Sequence, residues 1–248
     1  MLKQDKAKRA VVRVGDGRGF VVEGARSRII ITAAHCLGPT IVPCASFSDT
    51  EDCTYASLLG KPGEKPTVWT ECFFIDPIVD IAVLGPPDDQ ALSDEWDAYD
   101  AMVGESLPLS VSEAPKRGRA WLLSPKGRWF QCDVLRHPAP NGALWISGAA
   151  ENIVGGMSGS PILADDGSAI GILCTSCSVA GSGASASGGP NPRLASHLPG
   201  WLLREIGLFH IRSAHAVRGH VRGSARKGAA ASAKVRAKRV PKRKGALQ

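Results

Sequence analysis

The chain has 248 residues, 44% of them hydrophobic and 21% charged, with a net charge of +7. That composition excludes fibrous and wholly disordered classes, and the length suffices for one large domain or two small ones around a real core. Residues 212–248 hold twelve Lys and Arg and no Asp or Glu, which leaves a net charge of −5 on residues 1–211 and excludes a uniformly basic protein.

The first fifteen residues, MLKQDKAKRAVVRVG, interleave charges with apolar positions and offer no hydrophobic stretch of signal-peptide type. No apolar run reaches the roughly 18 residues a membrane helix needs. These features predict a cytoplasmic protein without a membrane segment. In that setting an odd set of seven cysteines, Cys36, Cys44, Cys53, Cys72, Cys132, Cys174 and Cys177, reads as thiols rather than a disulfide framework.

From Val11 to about Ser178, short runs rich in Val, Ile, Leu and Trp alternate with Gly, Pro, Asn and Asp clusters. In chain order they include GFVVE (19–23), RIIITAAHC (28–36), TVWTECFFI (67–75), DIAVL (80–84), RAWLLS (119–124), WFQCDVLR (129–136), ALWISG (143–148), SPILAD (160–165) and AIGILCTS (169–176). This rhythm predicts an all-β barrel or sandwich, and a doubly wound α/β fold is disfavoured. The acidic, proline-bearing stretch 85–107 interrupts the rhythm and reads as a connection between two β subdomains. The Gly/Ser segment 178–192 reads as a loop. LASHLPGWLLREIGL, about 194–208, places Leu198, Trp201, Leu202 and Ile206 at helical spacing, with Pro199 and Gly200 in its first turn. The tail 212–248 has too little apolar surface to fold alone and is expected to be disordered.

Three segments carry candidate chemistry. They are TAAHC with His35, DIAVL with Asp80, and GGMSGSP with Ser158, separated by 45 and then 78 residues. A serine hydroxyl is almost never ionised at neutral pH and needs a base within reach, a role that suits a histidine steadied by a carboxylate. Together the segments resemble the chymotrypsin/trypsin-like serine proteases over about residues 10–207, in the order His, Asp, Ser. The resemblance implies two antiparallel β-barrels, one at about 10–95 and the other at about 108–193, followed by the C-terminal helix. It also implies peptide-bond hydrolysis by His35, Asp80 and Ser158 through an acyl-enzyme, with backbone N–H groups of Gly156 and Ser158 as the oxyanion hole. By offset from the nucleophile, the substrate pocket falls near Asn152, Cys174, Thr175 and Ser176. The implied partner is a protein or peptide substrate, and no cofactor or metal is called for.

Competing residues exist for two roles. Asp76 precedes a proline and reads as a turn-former rather than the acid, and Ser160 lies two residues beyond Ser158. The α/β-hydrolase order Ser158, Asp165, His197 lacks its scaffold, because Ser160 stands where the second Gly of G-x-S-x-G belongs. The sequence also departs from secreted members of the family. Met157 stands where an acid usually precedes the nucleophile, and the position expected to pair with Cys36 falls near Phe20. Cys174-x-x-Cys177 has no second pair for a zinc site, and its thiols, a disulfide or a metal remain open. His210, His215 and His220 belong to the basic tail. Twelve positive charges there suit phosphate neutralisation of nucleic acid or another polyanion, without aromatic residues for base stacking. The alternative function is a nucleic-acid-associated binding protein whose barrel presents a peptide groove, and a third is a self-processing protease.

Overall fold

The computed structural model describes residues 3–24, 27–38, 54–138, 144–174, 195–200 and 202–204. All of them fall in the compact unit that ends at Ile206. The tail 212–248, the loop 178–192, and Cys44, Cys53 and Cys177 lie outside the described residues.

A short helix α1 (Lys3–Ala7) leads into twelve strands. The first six are β1 (Val11–Val14), β2 (Gly17–Glu23), β3 (Arg28–Thr32), β4 (Thr54–Gly60), β5 (Val68–Asp76) and β6 (Ile81–Gly85). They close into a barrel in the order β1-β2-β3-β6-β5-β4. Helix α2 (Ser93–Gly104) follows, and then β7 (Arg117–Leu123), β8 (Trp129–Arg136), β9 (Leu144–Ser147), β10 (Pro161–Leu163), β11 (Ala169–Leu173) and β12 (Ala195–His197). These pair as β12-β11-β10-β7-β8-β9. Renumbered from its first strand, the second set has the same cyclic order as the first, and only the β9/β12 ladder is missing although the two strands lie side by side. All the ladders are antiparallel. This is the two-barrel architecture of chymotrypsin type.

Each half has its own core, set by period-two alternation. In the second barrel, Ala120 and Leu122 of β7, Phe130, Cys132 and Val134 of β8, and Leu144 and Ile146 of β9 point inward. In the first, Val14, Val21, Ile30, Leu59 and Leu84 share one buried face. β6 and β11 are buried along their whole length, as expected of apolar runs covered on both faces. Ile172 of β11 joins the first barrel's cluster, so the seam between the halves is apolar.

Three sequence expectations are corrected. The stretch 85–107 is a connection, but it contains the twelve-residue α2, which buries Tyr99, Met102 and Val103 against the first barrel. Its last carbonyls have no partners within the helix. Arg28 of β3 supplies them, with Nη1 donating to Val103 O (2.7 Å), Gly104 O (3.0 Å) and Ser106 O (3.2 Å). The Tyr99 hydroxyl donates back to Arg28 O at 2.9 Å. Second, the helix expected over 194–208 does not begin there. Ala195–His197 is β12, paired with β11, so the second barrel runs past 193. Helical backbone begins at Gly200 and includes residues 202–204, with Leu203 N–H donating to Pro199 O; residues 201 and 205–208 lie outside the described residues. Third, Phe20 does not face Cys36. A Cβ on Gly17 would stand 2.5 Å from Cys36 Sγ, so Gly17 occupies that place. Among the described residues, Cys36, Cys72, Cys132 and Cys174 are buried and form no disulfide. No described helix is long and apolar enough to cross a membrane.

Candidate active site

His35 sits in a 3₁₀ turn (Ala34–Leu37) that follows β3. Ala33 and Ala34 are fully buried, and their small side chains let this turn press against the start of β6. There the Asp80 carboxylate accepts two bonds from one residue: His35 N–H to Oδ1 at 2.9 Å and the His35 ring Nδ1 to Oδ2 at 2.7 Å. Ala34 N–H adds a third bond, to the Asp80 carbonyl at 3.2 Å. A carboxylate only accepts, so the neutral ring carries its proton on Nδ1 and presents a lone pair at Nε2. The Asp80 hydrogen bond lifts the His35 imidazole above the ordinary histidine value, against the partial burial that pulls it down, and the Asp80 charge adds to the lift.

Asp80 has a positive φ of 56°, a left-handed conformation that costs energy for any residue with a side chain but is least foreign to Asp and Asn. The turn before it is built by Asp76, whose Oδ1 accepts the N–H groups of Ile78 (2.9 Å) and Val79 (3.2 Å). Support also crosses the seam from the second barrel. Ser196 of β12 donates its hydroxyl to Val79 O at 2.7 Å, and Cys174 Sγ approaches Asp80 O at 3.8 Å and Ser196 Oγ at 3.7 Å. The acid turn is therefore gripped from both barrels.

Ser158 lies between the exposed Gly155–Gly156 pair and β10, and is itself buried. Its segment folds as two tight turns, Met157 N–H to Val154 O at 3.4 Å and Ser160 N–H to Met157 O at 3.1 Å. Met157 is fully buried in the second core, and its sulfur accepts the Val154 N–H. An apolar anchor thus holds the position where the resemblance led one to expect an acid. Gly156 has φ +79° and Gly159 φ +76°, both in the left-handed region that favours glycine.

The serine segment is docked on the first barrel at β2. Arg18 N–H donates to Ser158 O at 2.8 Å. The point where a Gly17 Cβ would stand is 2.5 Å from Cys36 Sγ and 2.8 Å from Ser158 O, so the residue after His35 and the serine segment share one small space. Burial pushes the Cys36 thiol there up to about 11.

The residues expected at the substrate pocket fare unevenly. Asn152 is exposed. Its neighbour Glu151 is paired with Arg128 at 3.1 Å, which leaves its carboxylate already engaged. Cys174 turns its thiol toward the acid turn. Thr175 and Ser176 lie outside the described residues. Arg18 and Ser196, which tie the two halves of the site together, carry no signal in the sequence motifs, because their partners are more than a hundred residues away.

No protein-family model matches the chain, and no curated protein matches it. Solved structures that are similar include one from work on the coupled folding and binding of the intrinsically disordered VPg protein of Sesbania mosaic virus. Its identity is 17% and its TM-score 0.45, over 79% of this chain and 91% of that one. Another is the Rv3671c protease in an inactive form, with 16% identity and a TM-score of 0.42 over 80% of this chain and 87% of that one.

Proposed function

We propose that the chain is a serine endopeptidase in which Ser158 is the nucleophile, His35 the general base and Asp80 its partner. The observation that carries the reading is the paired acceptance of His35 N–H and Nδ1 by one Asp80 carboxylate. That pairing fixes the ring's direction and leaves Nε2 basic, the state a hydroxyl nucleophile needs. Ser158 Oγ attacks the scissile carbonyl carbon while its proton passes to His35 Nε2. The carbonyl oxygen becomes an oxyanion that accepts from the backbone N–H groups of Gly156 and Ser158. Collapse breaks the C–N bond, the amine leaves with the proton from Nε2, and water then hydrolyses the acyl-serine by the same route. Buried cysteines outside any disulfide among the described residues suit a reducing, cytoplasmic setting.

Cleavage of a peptide library, compared with the Ser158→Ala variant, tests this reading and identifies the preferred residue at the cleaved bond. Hydrolysis is expected only from the wild type, and its persistence in the variant overturns the assignment of the nucleophile.

A second proposal rests on the charge of residues 212–248 alone. This tail holds the enzyme on nucleic acid or another polyanion. Duplex DNA affinity is expected to fall steeply with salt in the full chain and to weaken on removal of the tail. An unchanged salt slope without it refutes the proposal.

A further inference from the structure

Arg18 makes a second set of contacts that reach across the seam, beyond its backbone bond to Ser158. Its side chain leaves β2 of the first barrel and enters the second, where Nη1 donates to Leu123 O at 2.9 Å and Nη2 to Ser124 O at 3.1 Å. These carbonyls belong to the last residue of β7 and the one after it. Nη1 also lies 3.5 Å from Ser160 Oγ. The Arg18 carbonyl oxygen accepts Thr32 Oγ1 at 2.6 Å, and Gly159 packs so closely on that same oxygen that no Cβ fits. Every part of this residue thus touches either the serine segment or the strand beside it. Among the described residues the guanidinium makes no ion pair, and its charge is met by neutral oxygens.

Resting on the peptidase reading, we propose that Arg18 is a positioning residue for the nucleophile. Its two-pronged grip on the end of β7, combined with its backbone bond to Ser158, sets where the serine stands relative to His35. Ser158 rides on the second barrel and His35 on the first, so the attack distance depends on the registry of the halves. A planar fork that bonds two successive carbonyls fixes both translation and rotation, which a lysine's single ammonium cannot do. A nucleophile misplaced by about 1 Å loses on the order of a hundredfold in rate.

The test uses a fluorescent fluorophosphonate, which reports attack of the serine oxygen on phosphorus with loss of fluoride and needs no peptide-binding step, together with kcat and KM for a peptide cleaved by the wild type. Arg18→Lys and Arg18→Ala are compared at a temperature where circular dichroism shows them folded. Labelling and kcat are expected to fall together by about 10- to 100-fold, with KM within twofold of wild type. Millimolar guanidinium is expected to restore part of the labelling to Arg18→Ala, while urea at the same concentration does not. If Arg18→Ala does not fold, Arg18→Lys decides. Labelling of the folded lysine variant within twofold of wild type overturns the proposal. So does a loss that only tracks the unfolded fraction. A wild type that takes no label at Ser158 overturns the peptidase reading itself, a result distinct from either.

Discussion

Replacing Gly159 with alanine drives a methyl carbon onto the Arg18 carbonyl oxygen and to 2.6 Å from Thr32 Oγ1, at a backbone φ of +76°. Two costs arise and can be separated. The left-handed conformation costs about 1–2 kcal/mol for an L-residue. Forcing a carbon into a closed contact adds about 1–3 kcal/mol, because the obstacle is backbone and cannot swing away. Gly127 supplies the control: its φ is +71° and nothing lies within 4 Å of its Cβ position, so Gly127→Ala should carry the first cost alone. Gly104 supplies the opposite sign. It ends α2 in open space without a positive φ, and alanine there should stabilise by up to about 1 kcal/mol. Urea unfolding followed by tryptophan fluorescence should therefore rank Gly104→Ala above wild type, then Gly127→Ala, then Gly159→Ala. The last is expected to lose about 2–5 kcal/mol, roughly 4–20 °C in Tm for a domain of this size. If Gly159→Ala costs no more than Gly127→Ala, the serine segment and β2 separate freely, and the close approach on which the site's registry rests is not a constraint.

Three further outcomes follow from the same contacts. On the proposed reading His35 must be neutral to act as base, and because Asp80 raises its pKa, kcat/KM should rise with pH through an apparent pKa above the ordinary histidine value. Asp80→Asn should move that limb to lower pH while lowering the plateau by roughly 10⁴-fold, and an unmoved limb would show that Asp80 does not set it. The linkage to stability has the opposite sense. A raised folded-state pKa means the His35–Asp80 pair contributes fully below the unfolded histidine pKa and fades as pH rises through that of His35, so the stability gap between wild type and His35→Gln should narrow from pH 5 to pH 8. Arg28→Ala should cost about 1–3 kcal/mol by stranding carbonyls at the end of α2, with faster hydrogen exchange in that helix; unchanged exchange would show that water serves the carbonyls as well.

Period-two alternation made β8 readable in the sequence, since Phe130, Cys132 and Val134 face inward at every second residue. Apolar runs did the same for β6 and β11. His35 and Ser158 stood out in the sequence because each lies beside small neighbours, Ala33 and Ala34 or Gly156 and Gly159, that a close backbone approach explains; Asp80, flanked by Val79 and Ile81, was readable only from its place in order between them. Helix α2 was hidden because only Tyr99, Met102 and Val103 face the barrel while Asp94, Glu95, Asp97 and Asp100 dominate the local composition, although the 99, 102, 103 spacing was available as a signal. β12 was hidden by brevity: three residues cannot establish a period, and the apolar residues after Pro199 invited a longer helix. The reach of Arg18 to Leu123 and of Ser196 to Val79 is purely tertiary. Strand register decides it, and three residues along β2 separate Gly17 from the Phe20 position first expected to meet Cys36.

The hold of β12 on the acid turn has a consequence for how the protein is made. Val79 and Ser196 are separated by 117 residues, and the Arg18–Leu123 bond spans 105, so these fastenings close only after most of the chain has left the ribosome. A partly synthesised chain can already hold His35 against Asp80, yet the Val79 carbonyl meets the Ser196 hydroxyl only when the twelfth strand arrives. On the proposed peptidase reading, the order of synthesis itself therefore delays competence until the second barrel has been made.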